Sequence, residues 1–168
     1  MRTGMMILLF ASTPVAADDA SLPETAGDAM NVEFSIQDAA GVPTLEFRQG
    51  ETVRFVFRVQ NNARETQRLA YTFPPHDVAV VSASGDPVFS AWNGKMFAQV
   101  MRVEAVPPGE SLEFFIEWKL ESNDGVAVPP GDYRVETEFN AFVQPGNVQL
   151  SLDAPHANIT VTEAGDLQ

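Results

Sequence analysis

Alternation with a period of two recurs along this chain and restricts its fold more than any other feature. From Val53 to Val59, the residues Val53, Phe55, Phe57 and Val59 fall on one side of an extended backbone, with Arg54 and Arg58 on the other. From Leu112 to Leu120, Leu112, Phe114, Ile116, Trp118 and Leu120 alternate with Glu113, Glu117 and Lys119. Tyr133, Val135, Thr137 and Phe139 alternate with Arg134, Glu136 and Glu138. Successive side chains of an extended strand point to opposite faces, so each run is a strand with one face on a core and one in water. Shorter runs fit the same template: Val32–Ile36, Thr44–Phe47, Leu69–Phe73, Val78–Val81, Phe97–Val103, Val148–Leu152 and Ala157–Thr162. Turn-forming clusters separate them, at Asn61-Asn62, Pro74-Pro75, Gly85-Asp86-Pro87, Pro107-Pro108-Gly109, Pro129-Pro130-Gly131 and Pro145-Gly146. No stretch carries the three-four spacing of an amphipathic helix. The expected fold is all-β, an immunoglobulin-like antiparallel β-sandwich with a phenylalanine-rich core.

Composition narrows the function. The chain has 168 residues, 45% of them hydrophobic, which suffices for one domain with a real core. Ten Lys+Arg against 23 Asp+Glu give a formal net charge of −13. A surface so acidic repels phosphate backbones and anionic lipid, so no nucleic-acid partner is expected. There is no cysteine, which removes disulfide scaffolds, thiolate zinc sites, thiol nucleophiles and a lipid-modified cysteine. No cofactor and no metal are expected.

The N-terminus reads as an address. Arg2 supplies a short positive region, Met5 to Ala11 an apolar one, and Val15-Ala16-Ala17 the small residues ahead of a cut before Asp18. That is the layout of a secretory signal peptide over residues 1–17, and the apolar run is far shorter than the ~20 residues that span a bilayer. A periplasmic or secreted protein follows, with no membrane insertion once the signal is removed. Residues 18–29 are small, acidic and polar and are expected to form a flexible leader. The folded domain is expected over residues 30–162, with a tail at 163–168.

The stretch from Tyr71 to Phe139 carries an ordered series of short motifs. It contains Tyr71-Thr72-Phe73, His76-Asp77-Val78-Ala79-Val80, Gly85-Asp86-Pro87-Val88-Phe89, Ala91-Trp92 and Lys95-Met96-Phe97-Ala98-Gln99. It continues with Pro108-Gly109-Glu110-Ser111-Leu112, Ile116-Glu117-Trp118 and Pro130-Gly131-Asp132-Tyr133-Arg134-Val135. In order and spacing this series resembles the BsuPI family, the intracellular proteinase inhibitors of Bacillus and their relatives. The preceding strand Val53–Asn61 also fits. Three features depart from the family pattern. Phe89 stands where a tryptophan is usual, Asn93 follows Trp92 where a serine is usual, and a signal peptide replaces a cytoplasmic start. Asn140–Thr162 extends beyond the pattern, as added strands. The resemblance implies a non-enzymatic protein whose partner is another protein, a serine protease.

An inhibitor of that kind needs an exposed loop that the protease binds as a substrate strand, held rigid so that little entropy is lost on binding. Without disulfides, core anchors must supply the rigidity. Trp92-Asn93-Gly94-Lys95-Met96-Phe97 meets the description. Trp92 and Phe97 are the anchors, Asn93-Gly94 is a tight-turn signal, and Lys95 or Met96 faces the specificity pocket. The competing reading is a β-hairpin whose aromatic residues finish the core. The second candidate is Glu121–Val128, with Asn123, Asp124, Gly125 and Val126 at its tip. Val126 and Val128 are small apolar residues with no other evident reason to be exposed. Its competing reading is an ordinary end-loop of a sandwich.

Other chemistry lacks parts. There is no G-x-S-x-G, no G-x-x-x-x-G-K and no H-E-x-x-H. His76 stands beside Asp77 without a nucleophile in evidence and reads as a turn histidine. Asn123-Asp124 with Glu121 and Asp132 would offer oxygen ligands to calcium, at a spacing unlike an EF-hand. Glu136 and Glu138 read as a solvated row, and Asn158-Ile159-Thr160 as a formal glycosylation sequon. Two readings stay open: an exported serine-protease inhibitor, and a non-catalytic immunoglobulin-like interaction module of the cell envelope. Neither specifies an oligomeric state.

Overall fold

The computed structural model of the protein describes residues 29–165, so the expected signal peptide and residues 18–28 of the leader lie outside it. Among the described residues there are ten strands: β1 (Met30–Gln37), β2 (Glu46–Arg48), β3 (Val53–Asn61), β4 (Gln67–Ser82), β5 (Pro87–Ser90), β6 (Met101–Val106), β7 (Ser111–Trp118), β8 (Gly131–Gln144), β9 (Val148–Gln149) and β10 (His156–Thr162). They form two sheets. One is β1-β3-β7, antiparallel throughout. The other runs β2-β10-β8-β4-β5, with β6 also on β4 and β9 on β8. The expected all-β sandwich is what the chain forms.

The period-two rows face each other across the sandwich. Val53, Phe55, Phe57 and Val59 of β3 are fully buried, as are Leu69, Val78 and Val80 of β4 and Val135 and Ala141 of β8. Phe57 stacks on Phe139 at 5.8 Å and meets Phe34 at a tilt at 5.1 Å, and Phe55 stacks on Trp118 at 6.2 Å. Each buried side chain of this size contributes about 1.5–3 kcal/mol. Tyr133 sends its hydroxyl back to the Pro129 carbonyl at 2.5 Å, the return bond typical of immunoglobulin-like sandwiches.

Three local expectations are corrected. Pro74-Pro75 does not end a strand, because β4 passes straight through it. Pairing with β8 jumps from Tyr71↔Ala141 to His76↔Phe139, β6 lets go after Thr72, and β5 joins only at Ala79. The prolines thus occupy a bulged span where no neighbour requires an N–H, and their fixed φ suits an extended chain. The strand expected at Phe97–Val103 begins only at Met101. The sheets are also not wholly antiparallel: β2 pairs with β10 in parallel, Thr160↔Glu46 to Thr162↔Arg48. Beyond the resemblance, β8 runs on to Gln144, and β9 and β10 are the added strands. At the domain's start Ala29 is buried, and its carbonyl accepts the Asn62 N–H at 2.9 Å.

Candidate functional site

Because β8 holds one side of β4, both β5 and β6 lie on the other, one after the other along the same edge. Residues 91–100, which join them, therefore travel beside β4 and do not form a hairpin. Two contacts tie their start to that edge. The Ala91 N–H donates to the Val78 carbonyl at 3.0 Å, and the Trp92 indole N–H donates to the His76 carbonyl at 2.7 Å. The Lys95 N–H then closes a turn onto the Trp92 carbonyl at 2.9 Å. Gly94 takes φ 68° at the third position of this turn, where an L side chain would be strained although the space is open.

The side chains of this loop divide into held and free. Trp92 and Phe97 meet edge to face at 5.1 Å, and Phe97 meets Phe73 at 5.8 Å. Lys95 folds back, its ammonium 5.2 Å from the centre of the Trp92 ring, a cation–π contact. Asn93 and Gly94 are exposed at the turn. Met96, between Lys95 and Phe97, is 97% exposed. An open groove of about 520 Å³ runs beside it, lined by Thr72, Phe73, Lys95, Met96, Gln99 and Phe142.

Beneath the loop lies His76, which is not a turn histidine. It sits on β4 with its ring buried between the sheets, against Phe57 at 5.2 Å, Phe114 at 5.6 Å and Trp92 at 5.6 Å. Neither ring nitrogen has a hydrogen-bond partner. Burial pulls its pKa from 6.5 down to about 4, so the imidazole is neutral at ordinary pH. Asp77 does not orient it; its carboxylate accepts its neighbour's N–H, from Val78, at 2.7 Å.

The second candidate loop links β7 to β8. It turns on Leu120, at φ 58°, and closes through Ser122, whose N–H donates to the Val126 carbonyl at 2.7 Å. The Ser122 hydroxyl accepts from the N–H groups of Asp124 and Val126, both at 3.3 Å, and Gly125 donates back to the Ser122 carbonyl at 2.9 Å. Val126 is 65% exposed at the tip, whereas Val128 is 3% exposed and belongs to the core. The expectation that Val128 needs an exposed role is thereby corrected. Asn123 does something its residue type did not announce. Its carboxamide oxygen accepts the Ser90 N–H at 2.8 Å and its amide donates to the Ser90 carbonyl at 3.0 Å. Ser90 immediately precedes the first loop, so Asn123 couples the two candidate segments.

The four oxygen-bearing residues considered for calcium do not converge. Asn123 is committed to Ser90, and Asp132 accepts the Thr160 hydroxyl at 2.8 Å. Among the described residues no cluster of three or more His, Cys, Asp or Glu is placed to hold a metal.

Comparison with known proteins agrees with the motif series. Solved structures match at low identity and with TM-scores below 0.5. The Pseudomonas fluorescens alkylpurine DNA glycosylase AlkC matches with 14% identity over 79% of this chain and 30% of its own, at a TM-score of 0.38. The C-terminal domain of Wzt matches with 15% identity over 83% of this chain and 77% of its own, at 0.42. A β-glucosidase from Listeria innocua matches with 18% identity over 77% of this chain and 16% of its own, at 0.38. The chain thus spans about a third or less of the length of the glycosylase and the glucosidase. No curated protein matches. The family model described as intracellular proteinase inhibitor, BsuPI, covers residues 42–142, more than half of the chain. The protein therefore belongs to the BsuPI family of intracellular proteinase inhibitors.

Proposed function

We propose that the protein is an exported member of this family that binds a serine protease and blocks it through an exposed loop. The observation that carries the reading is Met96, almost wholly in solvent between two side chains that are held. In this reading Met96 enters the protease's specificity pocket. Trp92 and Phe97, docked on His76 and Phe73, keep both ends of the segment in place. The ordering cost falls on folding and not on binding, which is what distinguishes an inhibitor from a substrate. Asn123 supports the same segment from the neighbouring loop, whose tip, Asp124-Gly125-Val126, offers a second contact. Export rests on Arg2, the apolar run Met5–Ala11 and Val15-Ala16-Ala17.

The test is a titration of the purified protein against subtilisin-type and trypsin-type serine proteases, with any cut mapped by mass spectrometry. The expected result is a stoichiometric endpoint and one slow cut next to Met96. A cut within Asn123–Val126 would move the contact to the second loop. Undiminished activity across the panel would overturn the reading and leave an envelope interaction module in its place.

A further inference from the structure

Six of the ten large apolar side chains exposed among the described residues, Phe73, Met96, Val100, Met101, Val103 and Phe142, belong to one region around β6. Across the outer face of the larger sheet, Val103 stands opposite Ala70 and Ala70 opposite Phe142, a row over β6, β4 and β8. Val103 is 41% and Phe142 40% exposed. The row stops at β6, which among the described residues pairs with β4 alone and leaves its second edge free.

Free edges are ordinarily guarded by prolines, lysines, bulges or inward charges. β6 has no proline, lysine or bulge, and the charges it carries on the side of Leu69 and Tyr71, Arg102 and Glu104, are of opposite sign. Its sequence is Met101-Arg102-Val103-Glu104-Ala105-Val106, and its register against Gln67–Thr72 is unbroken. Its charges are ordered in a particular way. When an antiparallel copy is laid beside it with Val103 facing Val103, Arg102 falls opposite Glu104 of the copy and Glu104 opposite its Arg102. Sliding the copy by two residues in either direction sets Arg102 against Arg102 or Glu104 against Glu104, so charge selects a single register. In that register Met101 lies against Ala105 of the copy, and the apolar row continues across both molecules. Self-complementarity of this kind is the mark of a two-fold contact. The neighbouring free edge, β7, behaves differently, since its charged residues are both glutamates, Glu113 and Glu117.

We infer that the protein forms a two-fold dimer by antiparallel pairing of β6 with β6 of a second copy, centred on Val103 and held in register by Arg102–Glu104 pairs. The inference stands on the β6 edge and does not depend on protease inhibition.

Sedimentation velocity on the purified protein tests it, from about 10 μM to about 1 mM, where small interfaces associate. The wild type is expected to show a reversible monomer–dimer equilibrium. R102E and E104R, each alone, set like charges opposite one another and are expected to raise the dissociation constant about tenfold or more. An equimolar mixture of R102E and E104R restores both opposite-charge pairs and is expected to recover dimer as a heterodimer. V103K leaves Arg102, Glu104 and the Tyr71–Glu104 hydrogen bond in place and is expected to give monomer by setting two lysines on the axis. A wild type that is monomeric throughout would overturn the inference. So would a dimer that persists in R102E and V103K, or a monomer whose β6 amides gain exchange protection only on adding protease.

Discussion

Trp92 and His76 are joined twice: the Trp92 indole N–H donates to the His76 carbonyl at 2.7 Å, and their rings meet edge to face at 5.6 Å. The candidate loop is thus fixed to the residue of β4 that faces the middle of the sandwich. Whatever loosens one of the pair loosens the other.

Trp92→Phe keeps an aromatic ring and removes the indole donor, leaving the edge carbonyl of His76 without its partner. A loss of about 1–2 kcal/mol in urea unfolding is expected. Limited proteolysis should cut within residues 93–100 faster than in the wild type. An unchanged cutting rate would mean that Trp92 does not order the loop.

His76 predicts a dependence on acid. Its folded pKa, about 4, lies below the ordinary 6.5, so folding favours the neutral ring. The stability that this neutral ring contributes is fully present above pH 6.5 and is lost as pH falls from 6.5 toward 4, by on the order of 3 kcal/mol. Carboxylates also titrate in the lower part of that window, so the measurement is the difference between wild type and H76F across a series of urea melts. The phenylalanine variant should lose less stability between pH 6.5 and 4. Parallel curves would show that His76 is not the group responsible.

Asn123→Ala removes both hydrogen bonds to Ser90 and frees the base of the first loop. Because the site is exposed, water replaces part of the loss, and about 1 kcal/mol is expected. The more telling readout is the Trp92 environment. Its fluorescence should shift toward that of a solvated indole if Asn123 positions the loop. No spectral change would confine Asn123 to its own turn.

Asn61 is fully buried, and its side chain makes three hydrogen bonds. Its amide donates to the carbonyls of Glu65 and Val106, both at 2.8 Å, and its oxygen accepts the Ala63 N–H at 2.9 Å. Asn61→Ala strands all three main-chain partners and should cost about 2–4 kcal/mol in thermal or chemical unfolding. A loss below about 1 kcal/mol would show that water enters to replace the amide.

The runs in β3, β7 and β8 were legible because each is longer than a turn of noise and alternates with few exceptions, Val56 and Phe115 among them. Asn61-Asn62 was legible only as punctuation. That Asn61 is buried and ties three segments together depends on Glu65 and Val106, which alternation does not involve. Pro74-Pro75 was misread for a related reason, since whether proline ends a strand depends on whether a neighbour needs its N–H there. Of the candidate site, the anchors Trp92 and Phe97 followed from aromatic residues flanking a turn. The placing of Lys95 over the Trp92 ring did not, because that cation–π contact exists only once Trp92 is placed. Asn123 was named as an exposed tip residue, and its partner lies 33 positions away.

By itself the sequence determined the all-β class, the buried faces and the acidic surface, since these follow from period, residue type and charge along the chain. Tertiary structure decided that β5 and β6 share one edge of β4, and so that residues 91–100 are a strap beside a strand. It also decided that His76 is interior, that Met96 is almost wholly exposed on the first loop, and that β6 ends its sheet. Each of these is a relation between segments far apart in the chain, settled by which strands pair and not by what any one segment prefers.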